Sequence, residues 1–329
     1  MGERGGGGRS QVQIHAMIAY IIRRLIATIP VMLLVAVIVF LLVHLAPGDP
    51  ASVIAGDNAT SDQIAAIRAT LGLDRPLWEQ FAIWIWRVLQ GDLGQSLFWN
   101  RGVAELILQR AEPTISLAIT TLIFAVTIAI GLGVLAAWKA GSGIDRSVMG
   151  LAVAGFSLPV FVVGYLLVYL FAIELRWLPV QGYRPIAEGF WPWLERLILP
   201  SIALGLAYLA LIARITRTTM LEILAEDYIR TAQAKGVATR PMLFKHALKN
   251  AAVPIVTVVG IGVALLISGV VITETVFNIP GVGRLVVDAI TRRDYPIIQG
   301  VMLVFSAIYV LVNLAVDLSY TLFDPRVRY

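Results

Sequence analysis

Cysteine is absent from the 329-residue chain, which excludes disulfides, thiolate metal sites and thiol catalysis. Charge is scarce as well: Asp, Glu, Lys and Arg together make up 14% of the residues, and none lies near the middle of a long apolar run. Glu274, Asp317 and His44 all fall near run ends. Carriers driven by protons or ions keep ionisable groups at mid-membrane, so this absence argues against that class, and no filter-like polar run suggests a channel. Also missing are a G-x-x-x-x-G-K-[ST] P-loop, a G-x-S-x-G elbow and an H-E-x-x-H zinc motif. The three histidines, His15, His44 and His246, are scattered and read as hydrogen-bonded filler. Gly131-x-Gly133, Gly260-x-Gly262 and Gly281-x-Gly283 lack the third glycine or the strand-turn-helix setting of a dinucleotide fingerprint. No catalytic residue, metal ligand or cofactor bound by this chain is therefore assigned, and the chain is not expected to be an enzyme by itself.

What is present in quantity is apolar surface: 58% of the residues are hydrophobic and the mean hydropathy is +0.82. Runs of about 20 apolar residues mark an all-α polytopic membrane protein. Six spans are expected, over Leu25–Leu45 and residues 114–138, 148–173, 197–213, 251–273 and 298–320. The first is preceded by Arg23 and Arg24 and is too long for a signal peptide, so it reads as a retained helix within residues 17–46. Residues 1–16 are Gly-rich and polar and are expected as a flexible tail. Six spans put both termini on one side. All four lysines, Lys139, Lys235, Lys245 and Lys249, fall on the side that holds the termini, which makes that side cytoplasmic. The net charge of +5 is thereby read as orientation in the bilayer, and no nucleic-acid partner is expected.

Residues 47–113 form a long extracytoplasmic loop with helical signals. Thr60 and Gln63 fit a capping box, Ile64, Ile67 and Leu71 recur up to a stop at Gly72, and a second helix starts at Pro76 with Leu77, Phe81, Trp84, Ile85 and Val88 on one side. Trp78, Trp84, Trp86 and Trp99 mark the headgroup level. The loop serves either as a packed cap or as a docking surface for a soluble partner. In the membrane core, 114–320, the fifth span collects Gly260, Gly262, Ala264, Ser268 and Gly269, which fit close helix packing or the lining of a substrate path. Pro159, Pro200 and Pro254 read as kinks or helix starts. The turn-rich stretch containing Glu274, Phe277, Asn278, Pro280 and Gly281 admits two readings, an outer plug or a gate and docking element.

Overlapping the cytoplasmic segment 214–250 is a charged island, residues 226–254, set between two strongly apolar segments. Leu221, Leu224, Tyr228 and Ala232 recur at helical intervals, Glu226 and Arg230 stand four apart, and Gly236 suits a helix end. Pro241 fits the first turn of a second short helix leading to Leu248. Two short helices joined by a turn make either a rigid plug for a partner's groove or an amphipathic hairpin resting on lipid headgroups.

The island resembles the cytoplasmic E-A-A-x-x-x-G loop of ABC importer permeases, and more closely its dipeptide/oligopeptide branch. The pattern Y-[IV]-R-T-A-x-A-K-G is matched by residues 228–236 and [KR]-H-A-L-[KR]-N-A by 245–251, followed by Pro254. Arg230 and Thr231 replace the Glu and first Ala of the general signature, as they do in the peptide branch. Residues 18–31, L-A-P-G-D-P (45–50), L-G-L-D-R-P-L (71–77), G-D-L-G-Q-S (91–96), E-T-V-F-N-I-P-G-V-G-R-L (274–285), R-D-Y-P-I-I-Q-G (293–300) and the terminal D-P-R-V-R-Y are also similar to that branch, in family order. The resemblance implies a type I ABC importer permease fold in a bacterial or archaeal plasma membrane, with residues 321–329 as a cytoplasmic C-terminus. It also implies a second homologous permease subunit, two ABC ATPase subunits that carry ATP and Mg, and an extracytoplasmic solute-binding protein as partners. Glu226, Asp227, Tyr228, Arg230, Thr231, Ala232, Ala234, Lys235 and Gly236 would form the ATPase-coupling helix. Gly260, Gly262, Ser268, Glu274, Phe277, Asn278, Pro280 and Gly281 are candidates for the pathway or its gate. The implied substrates are dipeptides or oligopeptides, with glutathione, nickel chelates or sugars as alternatives.

Overall fold

A computed structural model describes residues 6–45, 50–55, 59–70 and 72–323. The described residues are helical almost throughout, and the single strand-like feature among them is an isolated bridge between Gln95 and Gly102. Thirteen helices are numbered in chain order: α1 Gly6–Leu45, α2 Pro50–Ala55, α3 Ser61–Thr70, α4 Leu77–Leu89, α5 Val103–Trp138, α6 Gly143–Ser157, α7 Val160–Glu174, α8 Phe190–Leu224, α9 Asp227–Ala234, α10 Thr239–Asn250, α11 Ala252–Val276, α12 Val282–Arg292 and α13 Tyr295–Phe323. Among the described residues four helices are long and apolar enough to cross a membrane, or up to six if each of two bent pairs is one span.

Hydropathy locates a span but not the end of its helix. The 40 residues of α1 would extend roughly 60 Å, about twice a hydrocarbon core. Residues 6–16, expected as a flexible tail, are part of that helix, because extending an existing helix costs far less than nucleating one. Residues 1–5, most of the L-A-P-G-D-P block and the terminal D-P-R-V-R-Y lie outside the described residues. The second span likewise begins earlier than its apolar run, at Val103, and continues helically through Pro113. The third departs most from expectation. A straight helix over 148–173 is replaced by α6 and α7, bent by 107°. Pro159 forces the preceding Leu158 into extended backbone (φ −89°, ψ 130°) and then starts α7.

The chain divides into two compact units. One comprises Met1–Ala111 and Arg284–Val310, the other Glu112–Gly283 and Leu311–Tyr329. In the first, the capping box forms as expected: the Thr60 N–H donates to Gln63 Oε1 at 2.9 Å and the Gln63 N–H to Thr60 Oγ1 at 3.4 Å. Gly72, at φ +69°, closes α3. Phe81, Trp84, Ile85 and Val88 of α4 pack against Val35, Ala36 and Val39 of α1 and Leu303 of α13. Leu77, placed by spacing on the same side, is exposed. His44 shares hydrogen bonds with the Phe40 carbonyl and Gln80 Oε1, the filler role expected of it.

The same unit holds a buried clasp. Asp294 Oδ2 accepts from Ser96 Oγ at 2.6 Å and from the N–H groups of Leu97 at 3.1 Å and Phe98 at 3.4 Å. Ser96 Oγ in turn accepts from the Trp99 N–H at 3.0 Å. One carboxylate thus fixes the turn after G-D-L-G-Q-S to the start of α13. Asp294→Ala leaves these donors buried without an acceptor, at a cost of about 2–3 kcal/mol. It is expected to lower the melting temperature in detergent and to open residues 94–101 to limited proteolysis; unchanged protection there would dismiss the clasp.

In the second unit α8 is the central rod, with α6, α7 and α11 packed on it. Leu197, Leu199, Ala203 and Leu204 of α8 form one buried cluster with Leu117, Val163, Phe277 and Ile279. Small residues set the helix spacing. A Cβ on Gly260 would collide with Val316, and one on Gly269 with Leu204.

Candidate functional site

The charged island folds as α9 and α10 below the end of α8. A helix running continuously from Leu221 through Lys235 is not what forms. Chain direction changes at Ala225 and Glu226, the latter extended (φ −68°, ψ 145°), and α9 begins afresh at Asp227. That break resets the helical register. The side chain driven inward is Ile229, fully buried, whereas Tyr228 is 42% exposed and Ala232 half-buried. The expected Glu226–Arg230 pairing is replaced by Arg230 Nη1 with Asp227 Oδ1 at 3.5 Å, between two well-exposed side chains, an arrangement worth little.

The end of α9 is a Schellman motif. Gly236, at φ +78°, lets its N–H reach the Gln233 carbonyl at 2.9 Å and the Val237 N–H reach the Ala232 carbonyl at 3.1 Å. Glycine is required for the angle and not for space, since a Cβ there would meet nothing within 4 Å. Asp227, Arg230, Thr231, Ala234, Lys235 and Gly236 are all exposed, so eight helical residues present a polar, small-residue face outward while a single isoleucine points in.

Below Ile229 lies a second buried cluster. It joins Val134 and Ala137 from the end of α5, Met220 from α8, Met242, Leu243 and Ala247 from α10, and Ala251 and Ile255 at the start of α11, with Val237 packed against it. Tyr228 adds a polar tie: Asn250 Nδ2 donates to its hydroxyl at 2.7 Å. α9 therefore rests on the ends of three long helices at once.

A third link, beyond the reach of local pattern, sits nearby. Arg217 of α8 makes a two-pronged ion pair with Asp145 of α6, Nε to Oδ1 at 2.5 Å and Nη2 to Oδ2 at 2.7 Å. Asp145 Oδ2 also accepts the Gly141 N–H at 2.9 Å, and Ser142 caps the Asp145 N–H. The turn between α5 and α6 is thereby fastened to α8. Sequence reasoning missed this pair; Asp145 three residues after a Ser N-cap was the available signal.

Of the second group of candidates, Gly260 and Gly262 are buried and face neighbouring helices, Gly262 lying 3.5 Å from Tyr208 by its virtual Cβ, while Ser268 is exposed on α11. Glu274, Phe277 and Gly281 are buried, and Asn278 (φ +53°) and Pro280 are exposed at the tip of the turn. Glu274 is the centre of this turn. Its carboxylate accepts from Thr114 Oγ1 at 2.6 Å, Thr114 Oγ1 accepts from the Val282 N–H at 2.8 Å, and the Ile279 N–H donates to the Glu274 carbonyl at 2.8 Å. The Gly182 N–H donates to the Phe277 carbonyl at 2.9 Å, joining the turn to the loop before α8. In that loop Tyr183 donates to Glu112 Oε1 at 3.0 Å beside Ser116 and Trp193. Burial first, with the Glu112 acceptor adding to it, pushes the Tyr183 hydroxyl above its ordinary range.

Residues 129–329 match the model of the binding-protein-dependent transport system inner membrane component, and residues 17–118 match the N-terminal model of the same membrane components. The chain is 58% identical over 310 residues to a probable peptide ABC transporter permease protein, y4tP, of Sinorhizobium fredii (strain NBRC 101917 / NGR234), covering 94% of this chain and 99% of that one. It is 44% identical over 313 residues to the glutathione transport system permease protein GsiC of Escherichia coli (strain K12), covering 95% and 100%. Among solved structures, an inward-facing conformation of the MetNI methionine ABC transporter superposes with a TM-score of 0.54 at 18% identity, over 67% of this chain and 96% of that one, a likeness of fold.

Proposed function

The chain belongs to the family of binding-protein-dependent transport system inner membrane components, and from that premise we propose that it is the permease subunit of an ATP-driven importer of peptides. The observation that carries the coupling role is α9 itself, an outward-facing helix held at Ile229 in a cluster shared by the ends of α5, α8 and α11. Two partner ATPase subunits bind and hydrolyse ATP. One receives α9 of this chain and the other receives the equivalent helix of a second permease. When the ATPase subunits close, the force on α9 passes through Ile229 and Val237 into three spans together. The spans then move as rigid bodies between inward and outward access. Glu226 to Gly236 face the cytoplasm with both termini, and an extracytoplasmic binding protein delivers substrate to the opposite side.

At the far end of α8 and α11 the same rods pack on Phe277 and Ile279. On this reading the turn from Glu274 to Gly281 is the gate moved by them. Peptide is the substrate class supported by the relative at 58% identity; glutathione, itself a tripeptide, is the alternative supported by the relatives at 44–45%.

Gly236→Trp tests the coupling. In the isolated chain a Cβ at Gly236 meets nothing within 4 Å, but a subunit seated on α9 would meet the indole, and φ +78° adds local strain. In the assembled complex, membrane insertion should be normal while substrate-stimulated ATPase falls at least about fivefold, the scale of a 1 kcal/mol coupling loss. Gly236→Asn, which tolerates the left-handed angle, should stay near wild type. Unchanged stimulation in the tryptophan variant would sink the coupling role.

A further inference from the structure

α6 and α8 run antiparallel and are pinned together at two levels. At one end is the Asp145–Arg217 ion pair; about three turns along α6, Gly155 lies so close to Leu206 that a Cβ would come within 2.9 Å of its Cγ. Between the pins the helices part around a slot of about 250 Å³. Its walls are mostly apolar, formed by Met149, Ala152, Val153 and Phe156 of α6 and Ala210 and Leu211 of α8, with Ser157 also lining it. Val153 and Phe156 are 65% and 68% exposed, so the slot opens sideways onto the surface of α6. One charged group lines it, Arg214, a turn of α8 away from Arg217.

The two arginines differ in one respect. Arg217 is neutralised by Asp145, whereas Arg214 takes no ion pair among the described residues. An unpaired guanidinium at the mouth of an apolar slot in a membrane helix pair lacks an anion carried on a hydrocarbon chain. The geometry points to a binding site for an anionic phospholipid, with the acyl chain between α6 and α8 and the phosphate on Arg214. Guanidinium and phosphate pair through parallel N–H···O bonds. The position of Arg214, just past the apolar run 197–213, sets it at headgroup depth, where basic pockets between helices collect acidic lipids. A lipid here also touches both helices joined by the Asp145–Arg217 pair, so its presence would bear on how firmly they stay together. The site goes beyond the importer reading and does not depend on it.

Native mass spectrometry of the full-length chain in mild detergent tests the site, with phosphatidylglycerol and phosphatidylcholine of identical acyl chains as probes. Wild type should retain one phosphatidylglycerol about tenfold more than phosphatidylcholine. Arg214→Gln should erase that preference, Arg214→Lys should keep most of it, and Val153→Trp, which fills the slot, should reduce retention of both lipids. Equal retention of the two lipids by wild type, or wild-type retention in both Arg214→Gln and Val153→Trp, overturns the proposal. So does displacement of the retained lipid by inorganic phosphate, which would make the site one for a free anion. The absence of cysteine gives a clean background for the last arm. Val153→Cys in native membranes should react with a maleimide carried on a lipid, and crosslinking to another protein instead would show that protein covers the slot.

Discussion

Gly281→Ala is expected to be among the most damaging single-methyl additions in the chain, lowering stability by about 3 kcal/mol and cutting the yield of folded protein. A Cβ at position 281 would fall on the carboxylate of Glu274, and that carboxylate has nowhere to go. Glu274 is fully buried, held by Thr114 Oγ1 at 2.6 Å, and Thr114 in turn holds the Val282 N–H. Swinging Glu274 aside strands a buried acid and its donors, while keeping it in place displaces the 279–283 backbone. Overpacking of this kind costs roughly 1–3 kcal/mol, and each hydrogen bond broken in a buried site adds a comparable penalty. Thermal unfolding in detergent measures the loss. The decisive control is the double variant Gly281→Ala with Glu274→Ala, in which the added methyl meets the space the carboxylate leaves. Its destabilisation should fall short of the sum of the single variants by more than 1 kcal/mol. Strict additivity would show that the methyl collides with something else.

That carboxylate illustrates the limit of what the sequence discloses. Signals written within one turn of helix were legible: the Thr60–Gln63 box, the stop at Gly72, the turn at Gly236 and the helix opened near Pro241 are all where spacing placed them. The six apolar runs were legible too, because a bilayer demands about 20 apolar residues regardless of tertiary detail. Contacts between residues far apart in the chain were not. Asp145 meets Arg217 across 72 positions and Thr114 meets Glu274 across 160, and no periodicity encodes a partner at such distances. Glu274 could be named as a candidate near a span end, but its place under Gly281 and Gly283 needed the fold. Ile229 was missed for a nearer reason. Two extra non-helical residues after Leu224 rotate everything beyond them, so helical intervals counted through the break grouped Tyr228, and not Ile229, with Leu221 and Leu224.

Two buried clusters of the second unit lie along the same helix. Leu197, Leu199 and Leu204 of α8 belong to the cluster that holds Phe277 and Ile279, and Met220 of α8 to the cluster that holds Ile229. α11 repeats the connection, with Val270 and Leu266 in the first cluster and Ile255 in the second. A 35-residue helix and a 25-residue helix side by side form a stiff double rod. Packed interiors transmit displacement because they resist compression. On the proposed coupling, motion applied at α9 would reach the 277–281 turn with little lost in between, provided that α9 stays fixed to the rod.

Ile229→Ala breaks that proviso. An eight-residue helix has no stability of its own in water, and Ile229 is its one fully buried side chain. Truncation removes buried methyl groups and leaves a cavity against Met220 and Ile255, at about 2–4 kcal/mol. Because the spans beneath are held by their own packing, most of that loss should appear as local opening of α9 and not as unfolding of the chain. Hydrogen exchange of amides 229–236 is expected to speed up at least about thirtyfold, the equivalent of 2 kcal/mol, with amides in α8 and α11 unchanged. In the assembled complex, basal ATPase should persist, because the proposed ATP sites lie on partner subunits, while substrate-stimulated ATPase and uptake should fall by about tenfold or more. Ile229→Val, which keeps the branched contact, should cost about 1 kcal/mol and preserve uptake. If Ile229→Ala instead leaves both exchange and stimulation at wild-type values, the Tyr228–Asn250 hydrogen bond and Val237 suffice to seat α9, and the force path runs through them. If exchange rises but uptake is untouched, α9 is anchored as described and does not carry the coupling.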